Sequence, residues 1–96
     1  MKEDYMTLNE CINEIIKQFN IGDYFDSHVI INELVKNPKY HIVYLRECST
    51  NVNINQYHGK IGKIIASIEN VVSAGKSKSH TIYGTISENE LWQKTK

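Results

Sequence analysis

Isoleucine spacing constrains this chain more than any other feature. Ile12, Ile15 and Ile16, then Ile30, Ile31 and Leu34, then Ile61, Ile64, Ile65 and Ile68 recur at intervals of three and four residues. That interval lines one side of an α-helix, so each stretch predicts a helix with a single apolar face. Three such faces have to cover one another. The 96 residues hold one core of this kind, and a single domain over 1–96 is expected.

Each stripe has its own start and stop. Thr7 with Glu10 makes a capping box ahead of the first, which Cys11 and Phe19 extend. Asn20-Ile21-Gly22 ends it with a residue that tolerates positive φ. In Phe25-Asp26-Ser27-His28, Asp26 reads as an N-cap, and Phe25 is placed to staple onto Ile30. Val35 continues that helix until Asn37-Pro38 stops it, because the residue before proline is driven out of the helical region. Pro38 then opens a further helix with Asn37 as its cap, running through Tyr40, Val43 and Tyr44. Tyr40–Leu45 also reads as a strand, and helix is the preferred alternative.

Ser49-Thr50-Asn51-Val52-Asn53 is a polar connector. After it Tyr57 and the isoleucines at 61, 64, 65 and 68 predict a helix over 55–69, with Gln56, Lys60, Lys63 and Ser67 on its other side. Gly59 and Gly62 each cost about 1 kcal/mol in a helix interior relative to alanine. That cost points to a close approach, by a neighbouring helix or by a ligand. Beyond the helix, Val71-Val72 reads as a short strand, Gly75–Ser79 as a turn, and His80–Tyr83 as the returning strand, broken by Gly84. Ser87 and Glu90 make a second capping box, for a final turn that sets Leu91 and Trp92 against the body. The expected architecture is α+β: three to four helices, a β-hairpin, and a short C-terminal segment.

Motifs for catalysis are missing. Gly75-Lys76-Ser77 matches the end of a phosphate-binding loop, but the glycine required five residues earlier is Asn70, and the loop would lead into a strand. His28, His41, His58 and His80 are scattered without metal-type spacing. Cys11 lies on an apolar stripe, where a cysteine acts as a small core residue; neither it nor Cys48 has metal-type spacing, and a disulfide between the two is the lesser alternative. Asp23 and Asp26 form a carboxylate pair only nominally, since capping accounts for Asp26. No enzyme activity, cofactor or metal is expected. The apolar runs are too short for a membrane span, Glu3 and Asp4 interrupt any secretory leader, and the sparse cysteines fit a reduced cytoplasmic setting.

Charge is what remains to be read. The formal net charge is zero, yet residues 1–50 carry five Lys/Arg against eight Asp/Glu, whereas 51–83 carry four lysines against Glu69 alone. Those four are Lys60, Lys63, Lys76 and Lys78. A basic-faced helix followed by a hairpin with a basic tip is the arrangement of a winged helix. A helix fits the major groove of duplex DNA, where Asn55, Gln56, Lys60 and Lys63 can meet base edges and phosphates. Lys76, Ser77, Lys78 and Ser79 would touch the backbone from the hairpin tip. Such contacts supply affinity and orientation.

From Phe25-Asp26-Ser27-His28, through His58 and Ile61-Gly62, to Ile82-Tyr83-Gly84 ahead of Trp92, the chain resembles small winged helix-turn-helix proteins of bacteria and their mobile elements. The likeness spans about residues 7–92 and implies a DNA-binding regulator. The modest basicity and the lack of arginine after Arg46 depart from that pattern. A weaker resemblance is to KH domains: Gly59-Lys60-Ile61-Gly62, followed by Ile65 and Ile68, is similar to their Gly-x-x-Gly loop, and Ile82-Tyr83-Gly84-Thr85 to a later strand. That likeness implies binding of single-stranded nucleic acid and requires Tyr40–Leu45 to be the first strand.

A different class of partner is a protein. Glu10, Glu14, Asp23, Asp26 and Glu33 make the first half acidic, as in a small phage-type inhibitor that imitates nucleic acid or docks on a basic surface. Tyr5, Met6 and Tyr24 are candidates for a homodimer seam. His28, near the start of the second helix, is expected to be a hydrogen-bonded structural residue, with a place in an interface as the alternative. A positive charge there opposes the helix dipole, so mild acid is expected to loosen the region.

Overall fold

A computed structural model describes residues 6–48 and 53–96. Tyr5 and the connector residues Ser49–Val52 lie outside them. Among the described residues the fold is α+β, with four helices and a three-stranded antiparallel sheet. In chain order the elements are α1 (Leu8–Lys17), β1 (Tyr24–Asp26), α2 (Ser27–Lys36), α3 (Pro38–Cys48), α4 (Ile54–Ala66), β2 (Val71–His80) and β3 (Ile86–Lys94).

The helix starts are where side-chain chemistry puts them. Thr7 Oγ1 accepts from the Glu10 amide at 3.1 Å while Glu10 Oε1 accepts from the Thr7 amide at 2.8 Å. Asp26 Oδ1 accepts from the Val29 amide at 2.9 Å, and Asn53 Oδ1 from the Gln56 amide at 2.9 Å. Each bond satisfies an amide that has no partner within its own helix. Asn37 Oδ1 accepts from the Lys39 amide at 2.9 Å, so Tyr40–Leu45 is helical, within α3. The strand that the KH resemblance requires is therefore not there, and Gly59–Gly62 lies inside α4 rather than in a loop.

The first and last of the predicted helices are shorter than expected. α1 stops at Lys17, and Gly22, at φ +97°, serves the turn into β1. α4 stops at Ala66 rather than 69, with Ser67 as its C-cap.

The isoleucine stripes meet as a single core. Ile12, Ile15 and Ile16 of α1, Ile30 and Leu34 of α2, and Ile61 and Ile65 of α4 are all buried. Removing each such side chain from water is worth roughly 1.5–3 kcal/mol. Tyr40 and Tyr57 are fully buried too, and each hydroxyl has a partner: Tyr40 donates to Glu14 at 2.8 Å, and Tyr57 to the Tyr44 carbonyl at 2.7 Å. Cys11 is a buried free thiol, whose ionisation burial and Glu14 make harder, and Cys48 is also free.

The second half corrects the expected hairpin. β2 is a ten-residue strand, not a two-residue one, and Lys76, Ser77, Lys78 and Ser79 lie within its second half rather than in the turn. The turn falls at 81–85, where Gly84 takes φ +82° and the Thr81 amide donates to the Thr85 carbonyl at 2.7 Å. Gly75, which looked like a turn glycine, is at φ +107° beside a register shift between Ser73 and Gly75, so it serves a β-bulge. Ser87–Glu90 is not a cap either. Residues 86–94 form β3, the central strand, in the order β1-β3-β2.

Strand β1 was not anticipated. It pairs with β3 in the register Phe25↔Trp92, and the Trp92 indole donates to Ser27 Oγ at 3.1 Å. This joins the start of α2 to the sheet.

Candidate functional site

The exposed side of α4 carries Asn55, Gln56, Lys60 and Lys63, as the isoleucine stripe on its buried side dictates. Beside that helix runs a groove whose opposite wall is the β2–β3 hairpin and whose floor is the first turn of α2. Its wider end has a volume of about 500 Å³. There His58, Gly59, Gly62 and Lys63 face Asn89, Glu90 and Trp92. The groove continues past His28, Ile31 and His58 into a narrower end of about 320 Å³, bordered by Asn55 and by Tyr83 and Thr85 of the hairpin turn.

Among the described residues, Gly59 and Gly62 have no neighbour that needs the room: nothing lies within 4 Å of a Cβ placed on either. Close packing of another helix does not explain them. They open the α4 wall of the groove instead.

The hairpin is held to α2 by polar contacts. Ser77 Oγ donates to Asp26 Oδ2 at 3.2 Å, and His28 Nδ1 shares a hydrogen bond with Ser79 Oγ at 2.9 Å. Asn89 Oδ1 accepts from the His28 amide at 3.0 Å, while Asn89 Nδ2 donates to the Ser77 carbonyl at 3.2 Å. Burial alone would raise the Asp26 carboxyl. The donors gathered around it, Ser79, the Val29 amide, Ser77 and Asn89, outweigh that effect and hold it below the ordinary aspartate range.

The eight residues picked from sequence therefore divide. Asn55, Gln56, Lys60 and Lys63 share one helix and its outer side. Ser77 and Ser79 are turned to α2 and hold the hairpin in place. Lys76 and Lys78 are exposed but have acids across the ladder: Lys76 Nζ lies 2.5 Å from Glu90 Oε1, and Lys78 is in register with Glu88. Lys60 lies 3.8 Å from Glu47 Oε1. Lys60 and Lys63 thus stand on α4, with Lys63 at the groove edge, while Lys76 and Lys78 stand on β2 ahead of the hairpin turn.

No known protein family matches the sequence, and no curated protein or solved structure is similar to it. What the site does has to be argued from its own chemistry.

Sequence reasoning missed the groove, although it expected His28 to be hydrogen-bonded, as its contact with Ser79 shows. His28 and His58 come from separate helices, and only the packing of α2 against α4 places both along one groove. His58 Nε2 is 2.7 Å from the Tyr44 hydroxyl, and burial, with His28 adding to it, holds its imidazole below the usual histidine range. Burial also pushes the Tyr44 phenol up to about 12, aided by Cys48 and Tyr83.

Five of the acids in the first half, those expected to make an acidic docking surface, have internal work. Glu10 closes the α1 capping box, Glu14 pairs with Lys39 and accepts from Tyr40, and Asp23 accepts from the Asn20 amide. Asp26 caps α2 and Glu33 accepts from Asn37 Nδ2. Among the described residues, no helix is long and apolar enough to cross a membrane, and no group of three or more His, Cys, Asp or Glu is placed to hold a metal ion.

Proposed function

We propose that this protein is a nucleic-acid-binding module of winged-helix type that grips duplex DNA with the outer side of α4, as a regulator on a mobile element would. One observation carries the reading: Asn55, Gln56, Lys60 and Lys63 stand exposed along one helix, beside a hairpin that flanks it. Amide side chains read base edges and lysines hold phosphates, so these residue types suit a helix laid in a major groove. The order β1-β3-β2, with β1 running into α2 and the hairpin following α4, is compatible with that fold. The hairpin contributes through Lys76 and Lys78, exposed on β2, while Ser77 and Ser79 hold it to α2.

The rival reading, a protein-interaction module built on an acidic surface, is weakened by the internal roles of Glu10, Glu14, Asp23, Asp26 and Glu33. What favours it is apolar exposure at Ile42 and Leu45 of α3 and at Tyr83 and Ile86 of the hairpin.

Gel-shift titration of random-sequence duplex at low salt tests the proposal. Binding is expected, with a salt dependence that falls by about two phosphate contacts when Lys60→Ala and Lys63→Ala are combined. Absent binding, or an unchanged affinity and salt dependence in that double variant, removes the duplex reading.

A further inference from the structure

Two imidazoles stand midway along the groove beside α4. His58 belongs to α4 and His28 to the start of α2, and both border the wider and the narrower end. Their hydrogen-bond partners are neutral: Ser79 and, at 3.5 Å, Ser87 for His28, and Tyr44 for His58. Facing His28 are Asp26, which shares the serine and asparagine contacts of β2 and β3, Glu90 on the hairpin wall, and His58 itself. Facing His58 are Tyr44 of α3, Tyr83 of the hairpin turn, Glu90, Lys63 on its own helix, and His28. Glu90 is engaged by Lys76 and by Ser73 Oγ at 3.2 Å, so its charge is largely offset.

A proton on His58 is disfavoured in the free protein, because it meets burial and the second imidazole. An anion lying in the groove offsets that penalty, and His28, at the start of α2, borders the same groove. Gly59 and Gly62 leave the α4 wall without side chains, so an extended backbone can come close to both rings.

We propose that the groove between α4 and the hairpin holds one phosphodiester strand of the duplex, and that His28 and His58 take up protons as it enters. Affinity for nucleic acid then rises as pH falls. This rests on the duplex reading above and adds proton coupling to it. Histidine is suited to the role because it changes charge between about pH 5 and 8.

Fluorescence anisotropy of a labelled random-sequence duplex, at fixed ionic strength, reads the coupling. Affinity is expected to rise about tenfold or more from about pH 7.5 to about pH 5.5, since each proton taken up is worth up to tenfold per pH unit. His28→Gln and His58→Gln each keep a hydrogen-bonding group and are expected to flatten the pH dependence. His41→Gln, whose ring bonds the Val35 carbonyl away from the groove, is expected to leave it unchanged. Circular dichroism at each pH keeps folding separate from binding, and His28→Gln carries the test if His58→Gln unfolds. Duplex binding that is the same at every pH, or that keeps the wild-type pH dependence in His28→Gln, overturns the coupling and leaves the duplex reading standing. No binding at any pH overturns both.

Discussion

The Lys94 ammonium donates to the Phe19 carbonyl at 2.7 Å and to the Lys17 carbonyl at 3.3 Å, from a residue that is only 8% exposed. A lysine near the end of β3 thereby caps the C-terminus of α1. The helix there exposes carbonyls without internal partners and carries the negative end of its dipole, so a cation is well placed.

Lys94→Met keeps most of the aliphatic stem and removes the donor. Two carbonyls at a partly buried helix end then lose their partner, which costs roughly 1–3 kcal/mol. Urea denaturation should show a lower midpoint with an unchanged slope.

Asp26 gives a pH prediction whose sign is fixed by its surroundings. Its carboxyl is held below the unfolded value of about 3.9, so it stabilises the fold above that pH, and the contribution is lost as pH falls through the folded value. Asp26→Asn is expected to be less stable than wild type at neutral pH and to show a flatter decline below about pH 4. Asp26→Ala, which also deletes the cap, is expected to cost about 0.5–2 kcal/mol at neutral pH. Thermal melts across the acid range check both.

Gly59 and Gly62 offer a separation of stability from function. Each sits in the interior of α4 with open space where a Cβ would go. Alanine at either position is expected to stabilise the protein by about 0.5–1 kcal/mol, because glycine loses more backbone freedom in a helix. The same methyl groups narrow the groove, so Gly59→Ala with Gly62→Ala is expected to raise the melting temperature while weakening duplex binding.

Glu90 sits on the groove wall and neutralises Lys76. Glu90→Gln is expected to strengthen duplex binding severalfold at low salt, with the gain fading as salt is raised. The pair is exposed, and the melting temperature is expected to stay close to that of wild type. Anisotropy at two salt concentrations, beside a melt, decides it.

The helical half of the fold was legible because each helix carries an apolar stripe, and the first three carry a readable start signal. Thr7, Asp26 and Asn37 are short polar side chains that bond amides a few residues ahead, which is local chemistry. Asn53 does the same for α4, but it ends a polar connector in which no single residue stands out as the cap. The sheet was harder to read. In Lys76-Ser77-Lys78-Ser79 the alternation of strand geometry is present, but the inward positions are serines, since what they meet is Asp26 and His28 and not an apolar core. A period of two written entirely in polar letters reads as a turn. Strand β1 is three residues long and exists only because β3 lies beside it, so no local pattern announces it. The exposed side of α4 followed from its buried side. The groove did not, because it depends on how α2, α4 and the hairpin are set together.

The pairing of β1 with β3 also bears on how the chain acquires its shape during synthesis. Ser27 and Trp92 are 65 positions apart, and the β1 backbone finds its partner only once 91–93 have been made. Until then α1 and α2 emerge with the backbone edge at Phe25 uncovered, open to pairing with whatever strand is nearest. A nascent chain that stalls short of Leu91 is therefore the form most exposed to aggregation and to proteolysis.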